Sequence, residues 1–188
     1  MTNSPEDSPA SPLFADEFVA DDAKELIHFN CGNETWAKAA NEWISGSDVW
    51  ESITRRGTRV WLYRNDVGVV VGFASLGITR RKWPPPHGGY CNFLFIPMLG
   101  LDVAFRGKPL NAKVRYSNQI IKHVLHEAEL QLAEHRKESR ETLALIALLV
   151  HADNSRAISV YTRFGFEIEV RGTRGELLLM TRPLLSVE

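Results

Sequence analysis

The most constraining feature of this chain is a long amphipathic helix pattern that stands between two strand patterns. From Tyr116 to about His135, apolar residues recur at helical spacing along one face. The run Leu143–Val150 is apolar throughout, which is typical of a strand covered on both faces, and a further strand is predicted over Asn92–Val103. The order strand, helix, strand predicts a parallel pair with a right-handed crossover. The chain is therefore expected to form an α/β domain.

Antiparallel strands are predicted on both sides of this crossover. Arg59–Tyr63 alternates and is rich in β-branched and aromatic residues, Asn65–Gly68 has turn chemistry, and Val69–Leu76 is apolar, so the three form a hairpin. Two more strands are expected near Phe166–Val170 and Glu176–Thr181 at the end of the chain. The sheet is thus predicted to be mixed, mostly antiparallel with one central parallel pair.

Irregular features interrupt these strands. Pro97 and Gly100 lie inside the pattern of the central strand, where they indicate a bulge or a splayed edge. The stretch Thr79–Gly89, with its basic residues and three consecutive prolines, predicts a loop long enough to act as a lid on the substrate side. Splayed strands and a loop beside them predict a binding site at this part of the sheet.

Length and composition indicate one domain. The chain has 188 residues, of which 44% are hydrophobic, and residues 1–17 are expected to form a disordered acidic Ser/Pro tail before a domain over 18–188. Two short helices are predicted within Asp21–Ser45, the second capped by Asn33. Another short helix is predicted over Ser155–Phe164.

The charge is segregated along the chain although the total is only −1. Residues 1–54 hold two lysines and eleven acidic residues, whereas residues 55–115 hold eleven basic residues and two acidic ones. The basic middle segment indicates a phosphorylated ligand or an acidic neighbour. Two cysteines, no secretory leader pattern and no apolar run of about 20 residues predict a cytoplasmic protein that does not span a membrane.

Two stretches of sequence resemble those of a known family. In Leu148–Phe166 a predicted strand is followed by Asn154, by an alanine three residues later, by Tyr161 and then by a Gly-Phe pair. In Leu99–Lys108 a predicted strand is followed by a basic turn that contains a glycine. With the order of predicted elements, they resemble the GNAT superfamily of N-acetyltransferases over Phe18–Pro183. The resemblance implies a sheet with splayed strands, acetyl-CoA as cosubstrate, and direct transfer of the acetyl group to a primary amine.

The resemblance also implies roles for individual residues. It places Tyr161 near the cofactor sulfur, where it could protonate the leaving thiolate, and Asn154 against the pantetheine arm. A plainer interpretation of the same two residues is a helix cap and a core aromatic. The residues assigned to cofactor binding are Leu101, Val103, Arg106, Gly107, Lys108, Ser117, Asn118, Asn154 and Tyr161.

The basic turn departs from the family pattern. Pro109 and Asn111 stand where the two later glycines of the pattern are expected, and Pro109 has no amide hydrogen to offer a phosphate. More residues than usual separate the turn from the following helix. Donors near Ser117, Asn118 and Gln119 at the start of that helix are therefore expected to take over.

The base that would deprotonate the amine is not fixed by the sequence. In ribosomal-protein alanine acetyltransferases it is a glutamate at the position of Leu149, so that role does not transfer to this chain. His151 is the catalytic candidate, with Asp102 and Asp153 as further candidates. Each has a plain alternative, as a strand-end histidine or as turn residues.

The acceptor and the partners stay open at this stage. Segments such as Phe29–Trp36 and Val150–Ala152 are similar to the acetyltransferase toxins of toxin–antitoxin pairs, which acetylate aminoacyl-tRNA. A small amine, a protein N-terminus or a lysine is an equal alternative, and a homodimer is a candidate assembly. The non-enzymatic alternative is a GNAT-like acyl-CoA sensor or interaction module. No metal site is predicted, since His123, His126 and Glu127 are interpreted as a solvated helix face.

Overall fold

A computed structural model describes residues 13–83, 89–111, 114–138, 145–171 and 176–184. In these residues no helix is long and apolar enough to cross a bilayer. Eight strands are described: β1 Phe14–Glu17, β2 Arg59–Arg64, β3 Val70–Trp83, β4 Gly89–Ile96, β5 Leu99–Leu101, β6 Leu145–His151, β7 Glu167–Arg171 and β8 Leu177–Pro183. The α-helices are α1 Thr35–Ser45, α2 Ser47–Arg56, α3 Tyr116–Glu138 and α4 Ser155–Arg163, and 3-10 segments cover Ala20–His28 and Val103–Phe105.

The strands form one mixed sheet, as predicted. Their order is β1-β2-β3-β4-β6-β8-β7, with β5 alongside β3. The pair β4–β6 is parallel, with Leu94 opposite Ile146, and the other described pairs are antiparallel. Helix α3 links the parallel strands and buries Ile120, Val124 and Ala128 completely. The predicted parallel pair with a helix between its strands is therefore confirmed.

The predicted loop over Thr79–Gly89 is wrong at its start. β3 continues to Trp83 and pairs with β4, with Thr79 opposite Phe93 and Trp83 opposite Gly89. The run of basic residues looked like a loop in the sequence, but cross-strand pairing with an aromatic strand overrides such local preferences. Residues 84–88, which include the prolines, lie outside the described residues.

The N-terminal part also differs from its prediction. β1 lies inside the predicted tail and pairs with β2, so ordered structure begins before Phe18. Helix α1 begins after Glu34 rather than Asn33, and Glu34 makes no side-chain capping bond. The segment Ala20–His28 is a 3-10 helix, and α2 was not predicted because only Val49 and Ser52 of its ten residues are buried.

One arginine ties these N-terminal segments to the sheet. The Arg64 guanidinium contacts Asp16 at 2.9 Å, Asp22 at 2.8 Å and Glu25 at 3.0 Å. The Arg64 side chain is 14% exposed and that of Asp22 is 12% exposed, so water replaces these contacts poorly.

Replacement of Arg64 with methionine is expected to lower the free energy of unfolding by about 2 kcal/mol, because the partly buried Asp22 loses its cation. Urea denaturation measures the change. The control is Arg55→Met, which removes an exposed pair with Glu51 at 3.5 Å and is expected to cost about 0.5 kcal/mol or less. Equal losses in the two variants would show that Arg64 has no special role in stability.

Candidate functional site

The sheet opens between β5 and β6. β4 and β5 both pair with β3, but Pro97 and Met98 separate them, and Ser75 bonds Met98 from both its backbone and its hydroxyl. The parallel pairing of β4 with β6 ends at Ile96 and Leu148. Beyond this point β5 stays with β3, whereas β6 follows β8. The predicted splay is confirmed, and it begins at Pro97.

A cavity of about 540 Å³ lies between β5 and the residues that follow β6, including Asp153 and Asn154. Its walls come from β5, α1, the start of α3 and α4, and the small side chains of Ala37, Ala40 and Ala157 leave room between the two helices. The residues assigned from sequence that line it are Leu101, Arg106, Gly107, Ser117, Asn154 and Tyr161. The fold thus brings two thirds of the predicted binding residues to one cavity.

Asn154 and Tyr161 face the cavity from α4. The Asn154 side chain accepts a hydrogen bond from the Ala157 backbone N–H at 3.1 Å, so it caps α4 as the sequence indicated. Tyr161 lies two turns further on, with its ring 6.0 Å from that of Phe166. Burial raises the pKa of Tyr161 to about 12. Its O–H therefore stays protonated near neutral pH and is a donor.

The basic turn is held by contacts that the sequence did not reveal. Gly107 has a left-handed backbone with φ +72°, which only glycine adopts easily. Arg106 contacts Glu34 at 3.0 Å and also donates to the Cys31 carbonyl. Its guanidinium is therefore engaged with the loop before α1. Lys108 is exposed and does not line the cavity.

The residues that follow the turn pair with the residues just before α3. The Leu110 N–H donates to the Val114 carbonyl at 2.7 Å, and residues 112–113 lie outside the described residues. The Asn118 and Gln119 amides donate to the Arg115 carbonyl at 3.1 and 3.2 Å, so they are not free for a phosphate. The Asn118 side chain is not part of the lining.

Val103 occupies a different position from the one assigned to it. It lies in the 3-10 segment and is 49% exposed, outside the cavity lining. Sequence reasoning also missed three cationic side chains that line the cavity: Arg115, Arg156 and Arg163. Arg156 and Arg163 are seven residues apart on α4, the same spacing as Asn154 and Tyr161, and that periodicity was the available signal.

The candidate base His151 lies beside the cavity. Its ring packs against Trp36 at 4.9 Å, and its Nδ1 accepts the Asp153 backbone N–H at 3.2 Å. In the neutral ring the proton is therefore on Nε2, which donates and cannot accept. Asp153 itself is 82% exposed. Asp102 is buried and accepts from the Asn30 and Ala104 amides, so it is a structural residue.

Two other titratable side chains at the cavity, Cys31 and Glu34, have shifted pKa values. Burial raises the pKa of Cys31 to about 12, so its thiol is a poor nucleophile near neutral pH. Hydrogen bonds from its own backbone N–H and from Arg106 lower the pKa of Glu34. Within the described residues no cluster of His, Cys, Asp and Glu could hold a metal ion.

The mixed sheet with its parallel pair and its long connecting helix is a fold that the chain shares with solved acetyltransferase structures. The AtaT toxin, solved as a tyrosine-to-phenylalanine mutant with the C-terminus of the antitoxin AtaR and acetyl-CoA, has a TM-score of 0.63 at 17% identity. That similarity covers 91% of this chain and 92% of the other. The ribosomal-protein-S18-alanine N-acetyltransferase from Escherichia coli gives 0.61 at 14% identity, over 94% and 97% of the two chains.

A third similar structure is AtaT complexed with acetyl-methionyl-tRNAfMet, with a TM-score of 0.60 at 16% identity over 89% of this chain and 94% of the other. No protein-family model and no curated protein sequence matches the chain. The comparisons therefore establish the fold, and the activity is a separate question.

Proposed function

We propose that this protein is an acetyl-CoA-dependent N-acetyltransferase that moves the acetyl group directly to a primary amine. The observation that carries the proposal is the cavity between β5 and the residues that follow β6, with Tyr161 in its lining. Such an opening admits a narrow, extended ligand between two backbone edges, as a peptide is held at a sheet edge. The pantetheine arm of acetyl-CoA, with its two amide groups, has that shape and chemistry.

In the proposed reaction the neutral amine attacks the thioester carbonyl. A C–N bond forms, the C–S bond breaks, and the Tyr161 O–H gives its proton to the departing sulfur. The tyrosinate regains a proton from solvent, and the amine nitrogen loses one to water. Because the Cys31 thiol stays protonated, direct transfer is favoured over an acetyl-cysteine intermediate.

The acceptor is assigned as a primary amine, and an α-amine suits this cavity best. Glu34 is held by Arg106, and the His151 ring already accepts a backbone hydrogen bond. An α-amino group has a pKa of about 8 and is partly neutral without help, whereas a lysine at about 10.4 is not. Protein N-termini, small α-amines and aminoacyl-tRNA all fit, and the AtaT complex supports including tRNA among the candidates.

The second candidate function is an acyl-CoA-binding sensor with little catalysis. It is favoured by the departure of the turn from the family pattern, since Pro109 lacks an amide hydrogen and Arg106 is engaged with Glu34. A sensor would bind acetyl-CoA and release no thiol. The proposed homodimer and cytoplasmic location stay predictions from sequence.

The experiment is a thiol-release assay of the purified protein with acetyl-CoA and four acceptors: an N-terminal peptide, a lysine peptide with a blocked N-terminus, a small α-amine and an aminoacyl-tRNA. We expect release that depends on an α-amine and is faster than with the lysine peptide. Calorimetry with acetyl-CoA accompanies it. Binding without release for every acceptor supports the sensor, and no binding contradicts both proposals.

A further inference from the structure

Arg106 is a structural clamp in this fold. Its Nη1 contacts Glu34 at 3.0 Å, while Nη2 donates to the Cys31 carbonyl, and the side chain is only 23% exposed. The loop before α1 is also bonded to the residues that precede the turn. The Asn30 N–H donates to the Asp102 carboxylate at 2.8 Å, and the Asn30 carbonyl accepts from the Val103 N–H at 2.8 Å. The turn and the loop before α1 are therefore connected by several hydrogen bonds, and Arg106 makes two of these contacts, to Glu34 and to the Cys31 carbonyl.

A different arginine, Arg156, lies against the Gly107 turn on the side that faces the cavity. Arg156, from the first turn of α4, places its guanidinium so close to Gly107 that a Cβ on the glycine would overlap its Nη2. Arg156 therefore reaches across the cavity from α4 to the turn. Gly107 permits this approach because it has no side chain.

The charge on Arg156 is not neutralised by the described part of the chain. No described carboxylate forms an ion pair with the cavity arginines Arg115, Arg156 and Arg163, although all three line it. By contrast, Arg55, Arg56, Arg59, Arg64 and Arg106 do form ion pairs with carboxylates. All three cavity arginines are solvent-exposed residues of the cavity lining. Guanidinium groups without a carboxylate partner on a cavity wall favour an anionic ligand.

We propose that Arg156 is the guanidinium that binds the cofactor pyrophosphate at the Gly107 turn, and that Arg106 is a positioning residue that holds this turn against the loop before α1. The proposal rests on the proposed function, because it assumes acetyl-CoA as the ligand. An arginine offers two parallel N–H donors that match two phosphate oxygens. Arg156 can present its two N–H donors to a phosphate at Gly107. The N–H donors of Arg106 already contact Glu34 and the Cys31 carbonyl.

The test compares Arg156→Gln with Arg106→Gln, and Arg55→Gln on α2 is the control for loss of one positive charge. Calorimetry measures the Kd for acetyl-CoA and for S-acetylpantetheine, which has no phosphate. We expect Arg156→Gln to weaken acetyl-CoA binding about tenfold or more, without changing S-acetylpantetheine binding or Tm. Arg156→Lys is expected to restore part of the affinity.

Arg106→Gln is expected to lower Tm by about 3–6 °C and to weaken the binding of both ligands by similar factors, because it loosens the turn itself. Unchanged acetyl-CoA affinity in Arg156→Gln would overturn the proposal. So would a selective loss of acetyl-CoA binding in Arg106→Gln with an unchanged Tm. If the wild-type protein does not bind acetyl-CoA, the proposed function fails first.

Discussion

The substitution Tyr161→Phe is expected to lower kcat by about 10²–10⁴-fold, the range for a general acid, while the Kd for acetyl-CoA stays within about twofold. The reason is that phenylalanine keeps the ring against Phe166 and removes only the proton donor. Thiol release with the best acceptor measures kcat, and calorimetry measures the Kd. This combination separates an enzyme from a binding module.

The matched control is Tyr116→Phe, at the start of α3, where the ring packs against Phe105 at 5.2 Å and does not line the cavity. We expect kcat close to that of the wild type in this variant. Because burial raises the pKa of Tyr161 to about 12, kcat should show no alkaline decline from Tyr161 below that pH. A Tyr161→Phe enzyme with full turnover would remove Tyr161 from the mechanism.

The substitution Gly72→Ala is expected to have the second largest effect, because it forces β5 away from β3. A Cβ at Gly72 would lie 2.7 Å from the Gly100 carbonyl oxygen and 2.8 Å from Cδ1 of Ile120. The Gly100 carbonyl belongs to the backbone and cannot rotate away as a flexible side chain can. Overpacking of this kind lowers the free energy of unfolding by about 1–3 kcal/mol. For a chain of this size that cost corresponds to a Tm decrease of about 2–12 °C.

The substitution Gly72→Ala should also change the shape of the cavity, since Gly100 is part of the cavity wall. Moving β5 narrows the opening toward β6, so we expect acetyl-CoA affinity to fall about tenfold. The control is Gly77→Ala on the same strand, whose Cβ would meet the Thr58 side chain at 3.1 Å. Differential scanning calorimetry and acetyl-CoA titration of both variants provide the measurements. A Gly72→Ala protein as stable as Gly77→Ala, with wild-type affinity, would contradict this account of the opening.

Features that depend on local patterns could be predicted from the sequence. The apolar period of α3 and the continuous run of β6 specify the crossover, because each pattern requires burial of its own face. The Asn154 cap follows from its place between a strand and a helix. Pro97 marks the start of the splay, since proline has no N–H to continue the pairing.

Features that depend on distant partners could not be predicted. Arg106 was assigned to a phosphate, yet its position is decided by Glu34, 72 residues earlier in the chain. Arg156 enters the cavity only because α4 packs beside the turn. The strand formed by Thr79–Trp83 likewise depends on pairing with β4. Such contacts are set by tertiary packing, which overrides local preference.

The most direct measurement is a crystal structure of the protein grown with acetyl-CoA. The account predicts the pantetheine arm between Gly100 and Val150, the thioester sulfur within hydrogen-bond reach of the Tyr161 hydroxyl, and the pyrophosphate at Gly107 against Arg156. Electron density for the cofactor at any other surface, with the opening between β5 and β6 left empty, would contradict it.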